Sequence, residues 1–220
     1  MAAEPGVLTL INLSYILIND RRSSGLSPLG TRRLVGLYGL CLPVEMQMKS
    51  LSSTAIRYLN MTQTALEPAC LYAVLFSRGD GTFHWTICAA VDERTAMKMH
   101  ATNTLAWVYE QKMHDILESV SACVAVKIGK LSSTADIDRV SSLLEKIPMS
   151  IPPAYRAIER RFRCRIWFKE ALRALTTEGF ISCPDVEAFE RELLVYGEER
   201  DDLTVSGAPL VFQKSSVVSV

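Results

Sequence analysis

No run of about 18 apolar residues occurs in this 220-residue chain, so a membrane-crossing helix is not expected. The apolar-leaning segment from Val7 to Ile18 is short, carries Thr9, Asn12 and Ser14, and has no basic stretch before it. It is therefore not read as a signal peptide. Net charge is also missing. The 24 Lys and Arg residues balance the 24 Asp and Glu residues, which leaves no bulk electrostatic reason to bind nucleic acid or an acidic membrane. There is no CxxC pair, so a zinc ribbon or finger is not indicated. The six cysteines (Cys41, Cys70, Cys88, Cys123, Cys164 and Cys183) are scattered rather than spaced as a disulfide framework. That pattern predicts a reducing, cytoplasmic compartment, with most thiols serving as small core residues. Internal repeats and low-complexity tracts are absent as well.

What is present is enough apolar residue, 49% of the chain, to build a sizeable core in one domain. Residues 1–66 hold neither helical nor strand periodicity for long, apart from one short helix expected within 55–66. They read either as a weakly ordered extension or as sequence ahead of an internal start such as Met61. From Cys70 the pattern sharpens. Cys70 to Phe76 predicts a buried strand, closed by the turn signal Ser77-Arg78-Gly79-Asp80-Gly81. Phe83 to Val91 alternates, with Phe83, Trp85 and Ile87 on one face and His84, Thr86 and Cys88 on the other. Thr95 to Thr102 alternates too, with Lys98, His100 and Thr102 sharing a face. Further strands are expected over Leu105–Gln111 and Ala122–Ile128, and His114 is left on a loop.

Helices follow. One is expected from Ser133 or Thr134 to about Lys146, ended by prolines 148, 152 and 153. A second runs from Cys164 to Glu178, with Cys164, Trp167, Phe168, Ala171, Leu172 and Leu175 as its apolar stripe and Gly179 as its stop. A third begins at Pro184 and ends near Glu198. Residues 201–220 read as a tail carrying one strand near Pro209 to Phe212. Strands first and helices after predict an α+β domain over residues 67–200, with an antiparallel sheet of about five strands and helices packed on it.

Three residues in this layout propose a thiol site. A hairpin centred on Asp92 would set His84 directly opposite His100, close enough for one imidazole to orient the other. Cys164 stands at a helix start among Arg160, Arg161, Arg163 and Arg165, and both features favour a thiolate. The stripe would aim its sulfur at the sheet. Asn103 is an alternative orienter, and Trp85 and Trp167 are candidate substrate contacts. The same His84, His100 and Cys164 would make a three-ligand metal set, but no local ligand-pair motif supports it, so no metal and no cofactor are expected.

Several short stretches carry a resemblance. Leu71-Tyr72-Ala73-Val74-Leu75-Phe76, Phe83-His84-Trp85, Met99-His100-Ala101-Thr102-Asn103, Trp107-Val108-Tyr109-Glu110, Val126-Lys127-Ile128-Gly129-Lys130, Ile147-Pro148 and Cys164-Arg165-Ile166-Trp167 occur in order. Together they resemble a family of fungal proteins of unknown function, over about half of the chain. The order His, His, then a late helical Cys is also similar to circularly permuted papain-like folds, among them lecithin:retinol acyltransferase-like enzymes and NlpC-type peptidases. That resemblance implies Cys164 as nucleophile, His84 as base and His100 as orienter in a hydrolase or acyltransferase acting on a small acyl or amide substrate. Arg163 departs from the pattern, standing where a small or polar capping residue is expected. The alternative is a non-catalytic module of the same fold that binds a ligand beside Trp85 and Trp167. The partner expected is a small molecule or peptide, with no nucleic acid and no membrane span.

Overall fold

The computed structural model describes residues 63–220. The expectations for the stretch before Gln63, including the extension and the apolar segment from Val7 to Ile18, lie outside the described residues. Five strands come first: β1 (Cys70–Ser77), β2 (Phe83–Ala90), β3 (Thr95–Asn103), β4 (Trp107–Asp115) and β5 (Ala122–Lys130). Three helices follow: α1 (Ile137–Leu144), α2 (Cys164–Thr177) and α3 (Val186–Val205). A short β6 (Val211–Gln213) ends the order. The strands form one sheet in the order β4-β3-β2-β1-β5-β6, antiparallel except for the parallel β5–β6 pair. β1 is central, and seven of its eight residues are buried, as its unbroken apolar run requires.

The turns form where the sequence signals them. In the β1–β2 turn the Asp80 carboxylate accepts from the Thr82 N–H at 3.0 Å, and Asp201 of α3 accepts from the Gly81 N–H at 3.2 Å. Asp92 shapes the β2–β3 turn by accepting from the N–H groups of Arg94 and Thr95 at 2.8 and 2.6 Å. Gly179 stops α2 with φ at 74°, a left-handed backbone conformation that residues with a side chain rarely adopt. There the Phe180 N–H reaches back to the Leu175 carbonyl at 2.9 Å.

Strand alternation divides the sheet into two faces. Leu71, Ala73, Leu75, Phe83, Trp85, Ile87, Met99 and Ala101 belong to one, and all three helices add their apolar residues to the same cluster. α2 lies across β2 and β3, and α3 lies across β1 and β5. Trp167, Phe168, Ala171, Leu172 and Leu175 are fully buried there, so the predicted stripe does face the sheet. The opposite face carries a second cluster with Tyr72, Val74, Phe76, Cys88, Ala90 and Phe212.

Several boundaries differ from expectation. β4 continues to Asp115, so His114 lies in a strand rather than a loop. α3 begins at Val186 rather than Pro184 and is capped by Asp185, whose carboxylate accepts from the Ala188 N–H at 2.8 Å. Residues beyond 200 do not form a separate tail. α3 runs through them to Val205, β6 joins the sheet, and Val218 is buried. Leu66 is buried as well, with its N–H bonded to the Glu93 carbonyl at 2.8 Å, so the domain begins before residue 67.

Candidate functional site: an arginine-rimmed cleft and a histidine pair

His84 and His100 do meet. His84 Nε2 lies 2.9 Å from His100 Nδ1, and the rings stand perpendicular with centroids 4.7 Å apart. The register that brings them together is not the expected one. Ile87 pairs with Met99 and Ala90 with Ala96, which centres the hairpin one residue beyond Asp92. Extending that ladder sets His84 opposite Thr102, with His100 as its diagonal neighbour. The shift preserves the parity of the strands, so both rings stay on one face. His100 Nε2 faces Glu110 Oε1 of β4 at 3.4 Å. That distance is long, and the buried nitrogen has no partner of hydrogen-bonding geometry. Glu110 itself pairs with Lys112 at 3.0 Å.

Both imidazoles are held neutral. Burial is the main cause for His84, and His100, Lys98 and Arg78 add repulsion that brings its pKa down to about 3. Burial followed by Lys98 lowers His100 to about 4, against an opposing pull from Glu110.

Cys164 does not join them. It belongs to the cluster formed by the helices and the face of Phe83, Trp85 and Ile87. His84 and His100, one residue out of phase with that set, project from the other face. The sheet therefore stands between the thiol and both imidazoles, and the expected Cys164–His84–His100 arrangement is not formed. The same separation removes the three-ligand metal set. Asn103 falls on the helix-side parity of β3 and lines the cleft with Cys164, so it does not orient His84. Trp167 is fully buried beneath α2 and is a core residue rather than a substrate contact. Of the expected contact residues, Trp85 reaches the cleft.

The cleft, of about 520 Å³, opens where the β1–β2 turn and the ends of β2 and β3 meet the first turn of α2. Its floor is apolar. Phe83, Trp85 and Phe162 line it and are buried. Trp107, half-buried at the start of β4, forms a wall and meets Phe162 edge-on with ring centroids 5.2 Å apart. Four arginines stand around this floor: Arg78 from the turn, and Arg161, Arg163 and Arg165 from the entry to α2. Arg165 is neutralised by Glu159 and by Glu190, the latter at 2.5 Å. Arg78, Arg161 and Arg163 have no carboxylate within ion-pair distance among the described residues. Arg78 Nη2 instead approaches Cys164 Sγ at 3.8 Å. Arg163 holds the N-cap position in an extended conformation and makes no side-chain cap, so the first N–H groups of α2 gain no side-chain acceptor from it. No imidazole or carboxylate lines the cleft.

Sequence reading missed Arg78, Trp107 and Phe162 as cleft residues. Arg78 sits inside a clear turn signal, and Phe162 is two residues from Cys164. Their convergence depends on where α2 lands on the sheet, which no local pattern encodes.

Fold and cleft together define a mixed α+β domain whose helices cover one face of a mostly antiparallel sheet and enclose a basic, aromatic-walled cleft. Residues 69–196 match the Family of unknown function (DUF6914), and the chain belongs to that family. No curated protein and no solved structure matches the chain. Among the described residues no helix is long and apolar enough to cross a membrane.

Proposed function

We propose that this domain is a small-molecule binding module whose ligand occupies the cleft between the β1–β2 turn and the start of α2. The observation that carries the reading is the cleft's make-up: a concave apolar floor with a few convergent polar groups at its rim, the usual composition of a ligand site. A permuted papain-like kinship would instead make Cys164 the nucleophile of a hydrolase or acyltransferase. That chemistry needs a base within hydrogen-bond reach of the thiol. His84 and His100 face away from it, and the lining supplies no other imidazole or carboxylate. Binding without turnover therefore fits the cleft better. The five described cysteines are all free thiols, which supports a reducing compartment such as the cytoplasm.

A neutral aromatic probe, N-phenyl-1-naphthylamine, tests the reading. It should bind with one-to-one stoichiometry, lose affinity in Trp107→Ala and keep it in Cys164→Ala. No saturable binding of this probe or of its sulfonated analogue, or binding indifferent to Trp107, would remove the cleft as the site. Ester or amide hydrolysis abolished in Cys164→Ala would replace the module with an enzyme.

A further inference from the structure

We propose that the ligand of this cleft has two parts, a planar apolar body and one anionic head group, a carboxylate, sulfonate or phosphate monoester. The proposal rests on the binding reading above and adds the chemistry of what is bound.

The charge distribution leads to the head group. The chain as a whole carries no net charge, so a concentration of cations at one opening is a local arrangement. Elsewhere on the domain Arg94, Arg139 and Arg173 stand beside carboxylates, whereas Arg156, Arg160 and Arg191 have none within ion-pair distance among the described residues. Arg94 meets Asp115 at 3.1 Å and Glu118 at 2.7 Å, Arg139 meets Asp136 at 2.9 Å, and Arg173 meets Glu170 at 2.6 Å. Within the cleft Arg165 is paired in the same way. Arg78, Arg161 and Arg163 have no such partner among the described residues, and what sets them apart is that they converge on one opening from two separate parts of the chain. Like charges gathered around a concave, low-dielectric floor repel one another, and the repulsion is relieved when an anion enters. Guanidinium groups suit that role because their fork of N–H donors matches carboxylate, sulfonate and phosphate oxygens.

The body of the ligand follows from the floor. Phe83, Trp85, Phe162 and Trp107 offer ring faces and edges, with no buried carboxylate or imidazole among them. Such a surface favours a planar apolar group through area burial and ring stacking. A bare inorganic anion would leave that floor wet, and a neutral hydrocarbon would leave the arginines unrelieved. Only a ligand with both parts uses both features. Asn103, exposed at the mouth, is available to bond further polar atoms of the head.

A matched pair of fluorescent probes separates the two parts. 1-Anilinonaphthalene-8-sulfonate is N-phenyl-1-naphthylamine with one sulfonate added. The sulfonate probe should bind the full chain about tenfold or more tightly than the neutral one, and the advantage should shrink as salt is raised. Arg78→Gln, Arg161→Gln and Arg163→Gln should each weaken the sulfonate probe several-fold while the neutral probe stays within about twofold, which also shows that the variants fold. Displacement identifies the head. If phenyl phosphate competes better than benzoate, the natural head is a phosphate ester; the reverse order marks a carboxylate, and either result supports the proposal. Equal affinity of the two probes, or arginine variants that bind both unchanged, would overturn the anionic head and leave the binding module standing. Failure of both probes would instead remove the module itself.

Discussion

His84 and His100 share one hydrogen bond, 2.9 Å from Nε2 to Nδ1, on the face of the sheet that the helices leave uncovered. The bond joins two neutral rings, one nitrogen donating and the other accepting. Burial, the neighbouring Lys98 and the charges of Arg78 and Lys112 all oppose a proton on the pair, and only Glu110 favours one.

The pH dependence follows from that environment. Both histidines have folded-state pKa values, about 3 and about 4, below the ordinary value of 6.5. The unfolded chain then binds more protons than the native state below pH 6.5, so stability is intact above that pH and is lost as pH falls toward 4. The expected loss between pH 7 and pH 5 is on the order of 1–2 kcal/mol for each ring. Urea unfolding at the two pH values measures it. The difference should shrink in a His84→Gln, His100→Gln double variant, and an unchanged difference would mean the rings do not titrate as a buried pair.

Cys164 should behave independently of the histidines, because the sheet separates them. Peptide-resolved iodoacetamide labelling of Cys164 should proceed at the same rate in His84→Ala and His100→Ala as in the native chain. A marked slowing in either variant would restore a thiol–imidazole link. Arg78→Gln is the substitution expected to alter labelling, since Arg78 Nη2 lies 3.8 Å from the sulfur.

A buried ion pair makes α2 and α3 sensitive to one carboxylate. Lys169 is 3% exposed, and its ammonium lies 3.0 Å from Glu190. Arg165 also contacts Glu190 at 2.5 Å. Glu190→Ala leaves a buried lysine without its anion, which should cost about 3–5 kcal/mol. A double variant that also changes Lys169 to Met should recover much of the loss. Chemical denaturation of the three proteins decides the matter, and additive losses would show that the pair is not coupled.

Gly129 in β5 is a point of close approach rather than a turn. A Cβ there would stand 2.7 Å from the Phe180 carbonyl oxygen and 2.8 Å from Ile181 Cγ2. A backbone oxygen cannot swing away as a side chain can. Gly129→Ala should therefore destabilise the domain by about 1–3 kcal/mol. A melting temperature equal to that of the native chain would show that the segment after α2 yields freely.

Much of the framework was legible in the sequence because it rests on local chemistry. Alternation placed β2 and β3 and put His84 and His100 on one face, and that parity survived an error in the hairpin's centre. Gly179 and the stripe from Trp167 to Leu175 marked where α2 stops and which side it buries. The decisive clue about Cys164 was also present. Phe83, Trp85 and Ile87 form the more apolar face of β2, and an apolar helix stripe packs where the most apolar area is buried. The helix belonged on that face, away from the histidines.

The tertiary structure alone decided the rest, since those choices are made between residues far apart in the chain. A period of two assigns residues to faces but does not say which face the later helices will cover. The pairing of β5 with β1, and of β6 with β5, closes the sheet through segments that share no local signal. The cleft arises the same way. Arg78, Trp107 and Phe162 become neighbours only once α2 settles across β2 and β3. Its charge is tertiary too: Arg165 finds Glu190 on another helix, while Arg78, Arg161 and Arg163 find no carboxylate among the described residues.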